Sequence, residues 1–251
     1  MTLIFSDVDG TLLTDDGQCP LPASMLNSVT RQHQVVLASS RDVAEQQAVQ
    51  RQLGWSGPLI AEDGAVVVTP EGIVEMLGMA RPELLQRLRV ALSTSEANEL
   101  TALEPIAARH RLASLLLPLP AISRMLIHRL DTVGLTVAVG GRWATITAGA
   151  GKGAAAGVVS QRLGVPRWIA IGNGPNDASL LAEADRAFVI RNPDGHDPAL
   201  ARIAGAVLLA APGPEGWLEM LRHLEPATGN RRENHNADPA VDDHHPDHPG
   251  T

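Results

Sequence analysis

Residues 3–11 of the chain read LIFSDVDGT, a short apolar run followed by two aspartates and a glycine. A continuously apolar run of this length is typical of a buried strand in a parallel sheet. Ligands bind beyond the carboxyl ends of such strands, so the sequence predicts that Asp7 and Asp9 lie at a ligand site. An Asp-Gly pair is also ordinary turn chemistry, and a turn that closes the strand explains it equally well.

Strand and helix patterns alternate along most of the chain. Further apolar strand patterns lie at 35–38, 59–61, 65–68, 168–171, 187–190 and 206–209. Helical patterns lie at 21–32, 43–53, 153–163, 177–184, 197–203 and 216–224. Because strands that alternate with helices indicate βαβ units, we predict an α/β fold with a Rossmann-like parallel sheet core.

The segment 76–146 interrupts this alternation. Its patterns predict helices at 82–92 and 100–110 and strands at 112–117 and 135–139. We interpret it as a small α/β cap domain inserted into a core domain that comprises residues 1–75 and 147–224. The last segment, 225–251, is rich in His, Asp and Pro with almost no large apolar residues, so we expect a disordered tail.

The composition limits the classes of function. With 20 Lys+Arg against 28 Asp+Glu the net charge is −8, which argues against a nucleic-acid-binding surface. The 44% of hydrophobic residues suffice for a large core. Cys19 is the only cysteine, and neither a signal peptide nor a membrane-length apolar run is present, so we expect a cytoplasmic protein without membrane contact. The sequence leaves the oligomeric state open.

Three further motifs follow predicted strands or open predicted helices. Ser39-Ser40-Arg41 follows the second strand and offers hydroxyl and main-chain N–H groups to an anion. Lys152 opens a helix, and residues 172–177, GNGPND, follow a strand with oxygen-bearing side chains suited to Mg²⁺. Each motif alone is explained as a helix cap, a solvated lysine or a turn. Together, at the ends of strands, they predict one shared site.

Two carboxylates as near in sequence as Asp7 and Asp9 need a positive partner. At about 4 Å they repel by about 4 kcal/mol at an effective dielectric near 20, so a cation, a proton or a lysine must hold them together. Residues 146–153 lack the first glycine and the Ser or Thr of a P-loop, and 172–177 lacks the third glycine of a dinucleotide fingerprint. No G-x-S-x-G nucleophile elbow occurs either.

In this order the motifs resemble those of the haloacid dehalogenase superfamily of phosphatases, which begin here at Asp7, Ser39, Lys152 and Gly172. The long insertion and residues 61–65, AEDGA, are similar to the Cof-type branch of that superfamily. Within the branch the chain most resembles the mannosyl-3-phosphoglycerate phosphatases, through Ser39-Ser40, VGGRW at 139–143 and GPEGW at 213–217.

The resemblance implies a phosphomonoester hydrolase that works through an aspartyl-phosphate. Asp7 would be the nucleophile, and Asp9 would protonate the leaving alcohol and then activate water. Ser39 and Lys152 would hold the phosphoryl oxygens.

Mg²⁺ is the implied cofactor, and its implied ligands are Asp7, Asp9, Asn173 and Asp177. The implied substrate is a small phosphorylated metabolite such as mannosyl-3-phosphoglycerate or a related sugar phosphate, which would place the protein in mannosylglycerate biosynthesis. The residues implied to bind that substrate are Ser40, Arg41 and Arg142.

One position departs from the pattern of the family. Its fourth motif usually begins Gly-Asp, whereas this chain has Gly172-Asn173. Asparagine keeps an oxygen ligand but removes a negative charge, so we expect weaker Mg²⁺ binding here and tighter binding after Asn173→Asp. Two alternatives stay open: a phosphomutase of the same fold, and a binding protein with impaired catalysis.

Overall fold

The computed structural model describes residues 2–14, 16–149 and 151–224, so the tail predicted at 225–251 lies outside the described residues. The strands in the described part are β1 (Thr2–Ser6), β2 (His33–Ala38), β3 (Leu59–Ala61), β4 (Val66–Val68), β5 (Val74–Met76), β6 (Ser114–Pro118), β7 (Thr136–Gly140), β8 (Trp143–Thr147), β9 (Trp168–Gly172), β10 (Arg186–Arg191) and β11 (Val207–Pro212). The helices are α1 (Ala23–Gln32), α2 (Val43–Leu53), α3 (Arg81–Ala91), α4 (Thr94–Ala102), α5 (Arg124–Asp131), α6 (Lys152–Leu163), α7 (Ala178–Glu183) and α8 (Gly213–Leu224). None of these helices is long and apolar enough to cross a membrane.

The larger of two sheets has the strand order β11-β10-β9-β1-β2-β3-β4-β5. The strands from β11 to β3 are parallel, which confirms the predicted α/β fold with a parallel core. The last two, β4 and β5, are antiparallel additions at one edge. The strand β1 lies between β9 and β2, so the ends of these three strands meet at one place on the sheet edge.

Helices cover both faces of the larger sheet, and this explains why the three central residues of β1, Leu3, Ile4 and Phe5, are all apolar. Ile4 packs on one face with residues of α1, α2 and α8, whereas Leu3 and Phe5 pack on the other face with residues of α6 and α7. Successive side chains of a strand point to opposite faces, so a strand covered on both sides has no polar face.

The smaller sheet has the order β6-β8-β7 and is antiparallel. We call this sheet together with α3, α4 and α5 the insertion. Its own apolar cluster joins the three helices to the sheet and includes Leu84, Leu100, Leu115, Leu130 and Ile146.

Two helices predicted from the sequence are wrong. Instead of a helix at 100–110, α4 begins earlier, where Ser93 and Glu96 form a capping box, and a short 3₁₀ turn, Ile106–Ala108, follows Pro105. Proline fixes its own φ and disfavours helix in the residue before it, which explains the early stop. At 197–203 the structure has only the 3₁₀ turn Leu200–Arg202. The sequence patterns also failed to predict β5, α5 and β8.

Candidate active site

Polar residues follow three adjacent strands of the larger sheet. The Asp7 N–H donates to the Ile171 carbonyl over 3.0 Å, and the Ser39 N–H donates to the Ile60 carbonyl over 3.0 Å. These bonds extend the ladder past the ends of β1 and β2, while Asn173 directly follows β9. Asp7, Ser39 and Asn173 therefore lie at the same edge of the sheet, where parallel α/β proteins bind ligands.

Lys152 lies among the carboxylates of this edge and is the only lysine in the chain. Its ammonium group donates to Asp7 Oδ1 over 2.8 Å and to Asp177 Oδ1 over 2.6 Å. A third carboxylate oxygen, Asp63 Oδ1, lies 3.9 Å from the same nitrogen. The Lys152 side chain is 0% exposed, so its charge is balanced by these carboxylates and not by solvent.

Burial and neighbouring charges shift the two central groups in the same direction. Burial, reinforced by the charge of Asp177, raises the pKa of Asp7 from its ordinary value to about 7, although Lys152 opposes the rise. Burial alone would lower the pKa of Lys152, but the carboxylates of Asp177, Asp7 and Asp63 outweigh it and raise that pKa. A lysine that stays charged beside Asp7 can stabilise negative charge that develops there.

Asp9 lies further out than Asp7 and is paired with an arginine. Arg41 donates from Nε to Asp9 Oδ2 over 2.9 Å and from Nη2 to Asp9 Oδ1 over 2.6 Å. The hydrogen bonds to Asp9 raise the pKa of Arg41. This bidentate contact orients the Asp9 carboxylate at the entrance of the site.

The serines that follow β2 differ in their roles. The buried Ser39 accepts a hydrogen bond at Oγ from the Arg41 N–H over 3.2 Å, which leaves its own hydroxyl proton free for an anion. Ser40 uses its main-chain carbonyl to accept from Arg111 Nη1 over 2.8 Å.

The loop after β9 is organised by Asp177. Its Oδ2 atom accepts from the N–H groups of Asn173 and Gly174, each over 3.0 Å, while its Oδ1 atom accepts from Lys152. Both oxygens of Asp177 are thus already bound. Asp177 therefore holds the loop and Lys152 in place.

Two other oxygens are poorly satisfied. The Thr11 hydroxyl lies 3.3 Å from Asp7 Oδ2 and 3.4 Å from Asn173 Oδ1, and its single proton can serve only one of them at a time. No cluster of three or more His, Cys, Asp or Glu side chains within the described residues could hold a metal by itself. Any hard cation at this edge would therefore need neutral oxygens, such as the amide oxygen of Asn173, besides carboxylates such as that of Asp7.

The structure adds site residues that the sequence patterns did not identify. Asn176 donates from Nδ2 to Asp63 Oδ1 over 2.9 Å, and the other oxygen of Asp63 is buried without a hydrogen-bond partner in the described residues. Glu62 and Asp63 both have positive φ, 52° and 55°, in the turn after β3. That conformation is uncommon for residues other than glycine and marks this turn as constrained. The sequence could have indicated Glu62 and Asp63 as site residues, because they directly follow β3 at the same edge of the sheet.

The insertion contacts the site at two places. Glu62 accepts hydrogen bonds from the N–H groups of Leu112 and Ala113 and from the Ser114 hydroxyl, over 2.7–2.9 Å. At the second place, a Cβ atom on Gly140 would lie 3.2 Å from Asn176 Nδ2. Arg142 lies in the turn just after Gly140, with an exposed side chain. Arg142 therefore lies two residues from the contact between Gly140 and Asn176. It is not part of the hydrogen-bonded cluster of the described site.

Residues 4–88 match the family described as haloacid dehalogenase-like hydrolases. The matched stretch includes Asp7, Asp9, Ser39 and Asp63 but not Lys152 or the loop after β9.

Solved structures share the fold over most of their length. A Thermoplasma acidophilum protein, 0175, has a TM-score of 0.72 at 18% identity, covering 89% of this chain and 97% of its own. The sucrose-phosphatase of Synechocystis sp. PCC6803 has a TM-score of 0.64 at 16% identity, covering 88% and 97%. A sugar phosphatase of haloacid dehalogenase subclass IIB, BT4131, has a TM-score of 0.66 at 14% identity, covering 89% and 99%. At these identities the comparison shows the fold.

Proposed function

We propose that this protein hydrolyses phosphate monoesters of small sugar-derived metabolites through an aspartyl-phosphate at Asp7. The observation that carries the proposal is the contact of Asp7 with the wholly buried Lys152, at the end of the central strand and beside Asp9. The match of residues 4–88 to haloacid dehalogenase-like hydrolases supports the same activity.

In the first step, an oxygen of the ionised Asp7 attacks phosphorus while the bond from phosphorus to the ester oxygen breaks. Asp9 must enter this step protonated, and it gives that proton to the departing alcohol. Lys152 and the Ser39 hydroxyl hold the phosphoryl oxygens as negative charge moves onto them. The Arg41 contact orients Asp9 for this transfer, and one of its two hydrogen bonds must open to admit the leaving group.

In the second step, Asp9 takes a proton from water, and the water oxygen attacks the phosphorus of the aspartyl-phosphate. The bond between phosphorus and the Asp7 oxygen breaks, which releases inorganic phosphate and restores the carboxylate. Asp177 keeps Lys152 directed at Asp7 throughout.

Mg²⁺ would be held by Asp7, the Asp9 carbonyl and Asn173 Oδ1, and when bound it supplies positive charge that offsets repulsion between Asp7 and the phosphate. The all-oxygen set supports this choice of cation. From the loop after β9 we favour Asn173 over Asp177 as the ligand, because both oxygens of Asp177 already accept hydrogen bonds.

We also propose that residues 76–146 act as a cap over a core of 1–75 and 147–224. Support comes from the hydrogen bonds of Glu62 to residues 112–114 and from the close approach of Gly140 to Asn176. Arg142 would bind an anionic or hydroxylated part of the substrate, with mannosyl-3-phosphoglycerate as the specific candidate. We propose the cytoplasm as the location, because a single cysteine cannot form the intramolecular disulfide that is typical of oxidising compartments.

The test is release of inorganic phosphate with Mg²⁺ from mannosyl-3-phosphoglycerate, glucosyl-3-phosphoglycerate, hexose phosphates and a generic aryl phosphate. Asp7→Asn should abolish release, whereas the surface variant Asp131→Asn should retain it. The products should also be separated, because an isomerised sugar phosphate without free phosphate would identify a phosphomutase instead. Absence of turnover by the metal-loaded protein on every substrate would favour a binding protein.

A further inference from the structure

The side chain of Asn192, just after β10, faces Asn173 through two hydrogen bonds. Asn192 Nδ2 donates to the Asn173 main-chain carbonyl over 2.9 Å. Asn192 Oδ1 in turn accepts from Asn173 Nδ2 over 2.9 Å. The two asparagines thus form a closed, partly buried pair at the edge of the site.

The pair fixes which end of the Asn173 amide faces the site. A main-chain carbonyl only accepts hydrogen bonds, so the group of Asn192 that meets it must be the NH₂. The Asn192 oxygen must then face the other way, towards Asn173, where only the NH₂ of Asn173 can satisfy it. Asn173 Oδ1 is left pointing towards Thr11, 3.4 Å from that hydroxyl.

This orientation matters because the two ends of an asparagine amide have nearly the same shape and opposite polarity. An amide that turned over would present its NH₂ group to a cation and repel it. The close approach of Asn173 to Gly10 adds a second restraint, since a Cβ atom at Gly10 would lie 2.5 Å from Asn173 Nδ2.

We infer that Asn192 is a positioning residue that orients Asn173 as a neutral oxygen ligand for the divalent cation of the site. The inference rests on the proposed function. It explains how a site with asparagine at 173 can keep an oxygen directed at the cation, and it identifies a residue outside the four motifs as part of the metal site. Partners that orient metal ligands typically contribute about 10-fold to 100-fold in affinity.

The experiment is a double-mutant cycle on Mg²⁺ affinity, measured by titration calorimetry on Asn192→Ala, Asn173→Ala and the double variant, with Asn98→Ala as a surface control. Asn192→Ala should weaken Mg²⁺ binding about 10-fold, and the loss should disappear in the Asn173→Ala background. Asn192→Ser, which also cannot reach both partners, replaces Asn192→Ala if that variant does not fold.

Two results would overturn the inference: an unchanged Mg²⁺ affinity in Asn192→Ala, or an equal loss with and without Asn173. Phosphate release by the wild-type protein is measured in parallel. If release depends on Mg²⁺ and Asn192→Ala binds Mg²⁺ normally, the positioning role fails while the proposed function stands. If the wild-type protein binds no Mg²⁺, the proposed metal-dependent function fails, and the positioning role fails with it.

Discussion

Lys152 Nζ lies 2.6 Å from Asp177 Oδ1, and both side chains are 0% exposed. The residues come from different elements, the start of α6 and the loop after β9, so their contact joins two of the sequence motifs. Neither charge can be removed alone without leaving the other in a low-dielectric interior.

Lys152→Met should therefore lower both stability and activity. We expect the free energy of unfolding to fall by about 3–5 kcal/mol, because Asp7 and Asp177 lose their shared cation. Urea denaturation followed by circular dichroism measures this loss, with Arg31→Ala as a surface control. Equal midpoints for Lys152→Met and wild type would contradict the buried network.

The raised pKa of Asp7 predicts a pH dependence of stability. The folded protein binds a proton at Asp7 up to about pH 7, whereas the unfolded chain releases it at about pH 4. The metal-free protein should therefore lose stability as pH rises from about 4 to 7, and Asp7→Asn should remove that contribution. Denaturation in EDTA at several pH values tests the sign of this slope.

Mg²⁺ should shift the same ionisation. A divalent cation favours the charged form of Asp7 and should lower its apparent pKa by about one to three units. The acidic limb of the pH–rate profile should therefore move to lower pH as Mg²⁺ increases. Selective ¹³C labelling of lysine gives a single side-chain signal, from Lys152, that should follow the same transition. If the acidic limb stays at the same pH at all Mg²⁺ concentrations, the ionisation of another group causes it.

Arg41→Ala should affect activity more than stability. The side chains of Arg41 and Asp9 are 28% and 51% exposed, and pairs this exposed typically contribute at most about 1 kcal/mol. Loss of the bidentate contact frees the Asp9 side chain to rotate, so we expect a lower kcat with a small change in unfolding free energy. Steady-state kinetics beside Arg31→Ala measure the difference. An unchanged kcat would exclude Arg41 as the residue that orients Asp9.

Glu62→Gln should loosen the insertion. Glu62 accepts from two N–H groups and a hydroxyl, and a glutamine would turn an NH₂ group towards at least one of these donors. We expect a loss of about 1–3 kcal/mol and faster hydrogen exchange at 112–114. Ser114→Ala, which removes one of the three bonds, should show a smaller loss, and Glu71→Gln on the surface none. Equal stability of all three variants would disprove the anchoring role.

Asn173→Asp now has two opposed consequences. The added charge should tighten Mg²⁺ binding, as the sequence predicts, but a carboxylate would place an oxygen against Asn192 Oδ1. In EDTA we expect Asn173→Asp to be less stable by about 1–3 kcal/mol, and Mg²⁺ to recover part of the loss. Denaturation with and without Mg²⁺ separates the two consequences, and a variant as stable as wild type in EDTA would show that Asn192 adapts to either residue.

Local patterns were sufficient for the parallel sheet. The structure joins Lys152 to Asp7 and Asp177, and Ser39 lies at the same edge of the sheet. Apolar runs of strand length identify the buried strands, and the residues just after them must lie at one edge when the strands are parallel. The two wrong helices and the missed β8 have a common cause, since the bounds and type of short elements depend on caps, proline and strand partners.

Thus the sequence alone determined the α/β class, the sheet edge that carries the site and the residue types that meet there, because periodicity and the order of motifs are local properties of the chain. Only the tertiary structure decided the contacts that set their chemistry. The pairing of Arg41 with Asp9, the anchoring of the insertion by Glu62 and the orientation of Asn173 by Asn192 join residues distant in the chain or in separate elements. Such hydrogen bonds produce no periodic pattern in the sequence, because they depend on where folding brings single donors and acceptors together.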